Sequence, residues 1–114
     1  HHVEDLDSML KEINRVLKHN KYFVIREHDN ITYVDKMLTD IEHSMYFFLN
    51  NKNVDKKIYD NYINNFYSKY YDRYEWDEIM KKYGFFKIHD NHVTKSVHQV
   101  VNDTRSNLRI YVKN

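Results

Sequence analysis

The chain has 114 residues, 18 of them basic and 17 acidic, for a formal net charge of +1. That length sets one domain, or part of one, with a modest core, and the balanced charge gives no strong field toward nucleic acid or a membrane surface. The absence of cysteine and proline and the single glycine exclude a disulfide framework, a thiolate metal site and a glycine-rich nucleotide loop, since only glycine lets backbone approach phosphate or ribose closely.

From Glu4 to Lys18, apolar residues fall at Leu6, Met9, Leu10, Ile13, Val16 and Leu17, the spacing of one helical face. Asp5 or Asp7 can cap the start, and Lys18 and His19 suit the negative end of the helix dipole. After the turn His19-Asn20-Lys21, the run Tyr22 to Ile25 is continuously apolar, as in a strand covered on both faces of a parallel sheet. Helix followed by buried strand is half of a βαβ unit. Four titratable residues, Arg26, Glu27, His28 and Asp29, then stand where the strand should end. In an α/β sheet, ligands bind at the carboxyl ends of the parallel strands, so this cluster reads as a site.

Asn30 and Thr32 offer caps for a second helix, whose apolar stripe is Val34, Met37, Leu38, Ile41, Met45, Phe48 and Leu49. Residues 51–55 form a polar connection. Residues 56–73 are dense in tyrosine and charge, with weak helical periodicity at Ile58, Tyr62, Ile63, Phe66 and Tyr70, and read as an irregular or helical excursion. Tyr74 to Tyr83 is a short helix with Trp76, Ile79, Met80 and Tyr83 inward, closed by Gly84. Phe85 to His89 is a strand, and Asn107 to Lys113 alternates as a closing strand does. The last two strands are joined by a loop of about 15 residues, longer than most hairpin connections. Such a hairpin puts one antiparallel strand into an otherwise parallel sheet. The expected class is α/β, in one unit spanning 1–114, and the start at His1 reads as the middle of a larger fold.

The stretch Leu10-x-x-Ile13-x-Arg15-Val16-Leu17-Lys18, a tight turn and Tyr22-Phe23-Val24-Ile25 resembles the L-x-E-I-x-R-V-L-K-P-G-G unit of class I S-adenosylmethionine-dependent methyltransferases. In that fold the unit is the helix before the fifth strand, plus the strand itself. A helix, then Gly84-Phe85-Phe86, then a terminal hairpin is similar to the family's last helix and its sixth and seventh strands. The strand end Arg26-Glu27-His28-Asp29, with Asp40-x-Glu42-His43 and Tyr74-Glu75-Trp76, looks most like large-DNA-virus members. The resemblance covers nearly the whole chain but only the C-terminal half of a Rossmann-like fold. Two departures stand out. The turn has His19-Asn20-Lys21 for Pro-Gly-Gly, leaving Asn20 as the residue best suited to positive φ. The glycine-rich first loop and the acidic residue of the second strand, which hold the cofactor, would precede His1.

By the resemblance, His1 and His2 follow the fourth strand, at the rim that meets the methyl acceptor, where an imidazole can orient a base or phosphate or take a proton. The plain alternative is a helix-entry role. Alternation sends Arg26 and His28 to one face and Glu27 and Asp29 to the other. Arg26 can hold a phosphate or carboxylate bidentately; Glu27 or Asp29 can accept from an amine or a guanine edge, and His28 can relay a proton. The alternative is an internal ion-pair cluster with Asp29 capping the next helix. Glu42 and His43 are adjacent and do not share a helical face, whereas Asp40 and His43 do. A metal site of His28, Asp29, Asp40 and His43 is conceivable, but nothing has ligand spacing of the H-E-x-x-H kind, and no metal ligand is assigned. In the segment Tyr59–Trp76, tyrosine and lysine invite RNA; the acids Asp55, Asp60, Asp72, Glu75, Asp77 and Glu78 cancel most of that field.

The resemblance implies the acceptor-side part of a methyltransferase, an enzyme once completed by an N-terminal half that binds S-adenosylmethionine, with no cofactor-binding residue in this chain. Its substrate-binding set is His2, Arg26, Glu27, His28 and Asp29, and its acceptor is RNA or an RNA cap before a small molecule or protein. Methyl transfer needs no catalytic motif, because the sulfonium is already activated and proximity and electrostatics carry the rate. The implied partners are the N-terminal half or a partner subunit, and RNA. No apolar run approaches the roughly 20 residues of a membrane span and no signal peptide is visible, so no membrane partner and a cytoplasmic location, the host's if viral, are expected. One alternative is a non-catalytic methyltransferase-like module for assembly, whose exposed sheet edge and apolar face must be covered. Another is a free-standing RNA-binding α+β domain, which requires a basic face.

Overall fold

In the computed structural model, which describes residues 1–92 and 106–114, helix α1 (Leu6–Val16) begins at Asp5, whose carboxylate accepts the Ser8 amide at 2.9 Å. Strand β1 (Tyr22–His28) follows a turn in which Asn20 takes φ 60°, the left-handed conformation expected of it. Helix α2 (Tyr33–Asn50) opens with a capping box, Thr32 and Asp35 each bonding the other's main chain. The tyrosine-rich segment is helical over α3 (Lys56–Asn65) and irregular beyond it. Helix α4 (Arg73–Lys82) starts with a second capping box, Asp72 with Glu75. It ends at Gly84, φ 78°, which leads into strand β2 (Phe85–His92). Strand β3 (Ser106–Lys113) closes the chain. The long loop expected between the last two strands falls in residues 93–105, outside the described residues.

The chain is α/β, with four helices and a three-stranded sheet among the described residues. The order is β1-β3-β2, and β3 pairs antiparallel with both neighbours. The expected parallel pairing is therefore corrected. β1 and β2 point the same way but never touch, because β3 lies between them. β1 is an edge strand with one covered face: exposure alternates along it, and the expectation of cover on both faces fails at Tyr22 and Val24, which are 62% and 50% exposed. A register shift between Lys87 and His89 bends β2.

The core lies on one side of the sheet. Leu10 of α1, Trp76 and Met80 of α4, Phe85 of β2 and Tyr111 of β3 are its buried members, with Phe23 and Ile25 of β1 packed against them. Lys113 ties α1 to the sheet, since its buried ammonium donates to the carbonyls of Asn14 and Leu17 (2.8 Å for the latter) at the negative end of that helix. The inward face expected of α4 is present, with Ile79 and Tyr83 joining Trp76 and Met80.

Helix α2 reverses its expectation. It buries Thr39 and Glu42 and turns Val34, Met37, Ile41, Met45, Phe48 and Leu49 toward solvent. The Thr39 hydroxyl lies 2.8 Å from the Asn30 side-chain oxygen. A buried polar seam, rather than the apolar stripe, thus faces the body of the molecule. No helix among the described residues is long and apolar enough to cross a membrane.

Candidate functional site

β1 runs on through His28, so Arg26, Glu27 and His28 lie within the strand and not beyond it. The longer strand follows from pairing: Arg26, Glu27 and His28 stand opposite Leu108, Asn107 and Ser106 of β3. At this carboxyl end of β1 a cavity of about 380 Å³ opens, bordered by His1, Arg26, Glu27, His28, Glu42 and His43. Glu42 and His43 both reach it although they are adjacent on α2, because the cavity wraps around roughly the 100° that separates successive residues on a helix.

Four imidazoles gather here. The rings of His1 and His2 are 4.1 Å apart, His1 and His43 5.1 Å, His2 and His43 4.8 Å, and His1 and His28 5.1 Å. The chain brings them from its first residues, from β1 and from α2. His1 Nδ1 meets Glu27 Oε2 at 2.6 Å, in a pair whose side chains are 15% and 16% exposed. His2 Nδ1 lies 2.9 Å from the Tyr67 carbonyl oxygen. His43 Nδ1 lies 3.0 Å from the Tyr70 hydroxyl, which donates to Asp40 Oδ1 at 2.6 Å. Phe66 packs on His2 and His43 at 5.3 and 5.5 Å, forming one wall.

The electrostatics follow from burial. Desolvation, then the neighbouring His2 and His28, push the His43 pKa down to about 4, with Glu27 working against them. At neutral pH its ring is an uncharged donor–acceptor. Burial, reinforced by the Asp40 carboxylate, raises the Tyr70 phenol above its ordinary value, so it stays protonated and donates.

Of the residues singled out from sequence, His2, Arg26, Glu27 and His28 are brought to this corner, and Asp29 is not. Asp29 is fully buried and accepts from Arg73, through the main-chain N–H at 3.0 Å and Nε at 2.8 Å, with the fully buried Arg109 guanidinium 3.9 Å away. It anchors the start of α4 rather than capping the next helix, a role taken by Thr32. The set His28, Asp29, Asp40 and His43 is likewise divided, since Asp29 serves Arg73 and Asp40 serves Tyr70. Asp40 and His43 do share a helical face, as their spacing requires. Tyr67 and Tyr70 join the site unannounced; the only signal was their place in a tyrosine-rich stretch, which reads equally as packing.

No glycine borders the cavity, and Gly84 sits in the turn between α4 and β2. The cavity's border therefore lacks the close backbone approach that glycine permits in a glycine-rich cofactor loop. No family model, curated protein or solved structure matches the chain.

Proposed function

We propose that the chain is the acceptor-side part of a Rossmann-like S-adenosylmethionine-dependent methyltransferase, acting on RNA or an RNA cap. The observation that carries this reading is the last strand's position. β3 runs antiparallel to both β1 and β2, in keeping with the one antiparallel strand expected of a terminal hairpin, and a cavity bordered by titratable side chains opens at the carboxyl end of β1. Arg26 is exposed on the cavity's border, where a planar guanidinium can take a phosphate through two parallel hydrogen bonds. His28 borders the same cavity, where an imidazole can relay a proton. Glu27 holds His1, and so orients the rim.

The test is transfer of a labelled methyl group from S-adenosylmethionine to capped RNA by the full-length product of the reading frame, alongside calorimetric titration of S-adenosylhomocysteine. The full-length protein is expected to bind and transfer, and Arg26→Ala to raise the acceptor KM at least ~10-fold, the loss of one charge-assisted contact worth about 1.5–3 kcal/mol. The 114-residue chain by itself is expected not to bind S-adenosylhomocysteine. Binding by this chain alone, or none by the full-length protein, overturns the reading.

A second reading, a non-catalytic module of the same fold that serves in assembly, is supported by the uncovered apolar side of the sheet, where Tyr22, Val24, Phe86 and Ile88 are exposed. Binding of S-adenosylhomocysteine without transfer to any acceptor would favour it.

A further inference from the structure

We propose that His1, His2 and His43 form a binding site for one divalent transition-metal ion, with zinc the ion their chemistry fits. One ring nitrogen of each lies within 4.8 Å of those of the other two. Their partners fix the tautomers. The Glu27 carboxylate and the Tyr67 carbonyl only accept, so the nitrogens facing them, Nδ1 of His1 and Nδ1 of His2, carry the protons. Tyr70 donates its one proton to Asp40, so its oxygen accepts from His43 Nδ1. In each neutral ring the nitrogen left with a lone pair is Nε2.

Yet His1 Nε2 and His43 Nε2 face each other at 3.3 Å. Two lone pairs so close repel unless a cation lies between or beside them. Tetrahedral coordination with metal–nitrogen bonds of roughly 2.0–2.1 Å separates neighbouring ligand atoms by about 3.3–3.4 Å, so this pair already has the length of one tetrahedral edge. Metal-bound histidines characteristically give their other N–H to a carboxylate, a carbonyl or another polar oxygen. All three do so here, through Glu27, Tyr67 and the Tyr70–Asp40 pair.

Imidazole ligands without thiolate suit zinc, copper and nickel, and not calcium or magnesium, which require oxygen. His1 and His43 both border the cavity, which leaves a fourth position open to water or a ligand, as in catalytic zinc sites. The competing occupant of the 3.3 Å gap is a shared proton, with one ring an imidazolium. The inference does not rest on the methyltransferase reading, and its test uses no methyl donor.

The experiment is calorimetric titration of zinc chloride into the 114-residue chain near neutral pH, with cobalt(II) as a visible-absorption probe. One zinc per chain, micromolar or tighter, and intense tetrahedral cobalt bands that zinc abolishes are the expected results. His43→Ala and His2→Ala each weaken binding by more than the roughly 10–100-fold produced by losing an outer-shell partner, and Glu27→Gln weakens it within that range. His2 is exposed, so its variant keeps the test decisive even if His43→Ala unfolds. His19→Ala and His89→Ala, off the cluster, leave affinity unchanged. Absence of saturable binding, the pale spectrum of octahedral cobalt, or an affinity indifferent to His2 and His43 would overturn the site.

Discussion

At the scale of single residues, the clearest division is between Asp29 and its neighbours in the run Arg26-Glu27-His28-Asp29. Composition makes them one cluster; burial separates them. Asp29 has no exposure and holds Arg73 and the neighbouring Arg109, whereas Arg26 is exposed. Removing one partner of a buried ion pair strands the other charge, at roughly 3–5 kcal/mol. Asp29→Ala is therefore expected to lower unfolding free energy by about that much in urea denaturation, while Arg26→Ala changes it by no more than ~0.5 kcal/mol. Equal, small effects of the two would show that Asp29 belongs with the rim and not with the interior. Residues whose role is set by their own backbone are legible in sequence: Asn20 at positive φ and Gly84 after α4, with the cap of α1 narrowed to Asp5 or Asp7 and taken by Asp5. The histidine cluster is not, because His1 and His43 are 42 positions apart and local sequence carries no sign that they meet. Tyr70 was hidden for the same reason, its two partners lying 27 and 30 positions away.

At the scale of elements, periodicity told which residues share a side of a helix but not which side is covered. For α1 and α4 the apolar side is the inner one, and Leu10, Trp76 and Met80 are in the core. For α2 the covered side is polar, with Thr39 and Glu42 buried and His43 and Asp40 directed to the tyrosine network. A helix stripe reports a surface that avoids water; which partner removes the water is a tertiary matter. Sheet order carries the same lesson. The apolar run of β1 reads as a parallel strand covered on both faces, but neither the pairing partner nor the cover is encoded in four consecutive residues. The orientation of α2 is testable. Val34 and Leu49 are 55% and 67% exposed, so Val34→Lys and Leu49→Lys should each change stability by less than ~0.5 kcal/mol. A loss of roughly 2–5 kcal/mol in thermal or urea melts is what the same change would produce if the stripe were core.

For the whole molecule, shape and surface point the same way. The radius of gyration is 16.2 Å and the extents are 49 × 28 × 23 Å, against about 13 Å for the radius of a compact chain of this length. Helices α1 and α4 pack on one side of the sheet, and α2 and α3 add no residue to that core. On the other side, Tyr22, Val112 and Phe86 stand in one cross-strand row and Val24 opposite Ile110 in the next, forming a contiguous apolar patch rather than isolated exposed residues. Among the described residues, β1 and β2 are the edge strands of the sheet. A surface of this kind gains free energy by association, at roughly 25 cal/mol per Å² of apolar area removed from water. The 114-residue chain should therefore bind a hydrophobic dye and show a concentration-dependent sedimentation coefficient. Val24→Lys combined with Phe86→Lys should suppress both while leaving the far-ultraviolet circular dichroism unchanged, since each residue is about half exposed, at 50% and 42%. A monodisperse, dye-dark chain before any substitution would mean that this face is already covered. The second reading would then lose its support, because a sheet that needs no cover makes no demand for a partner.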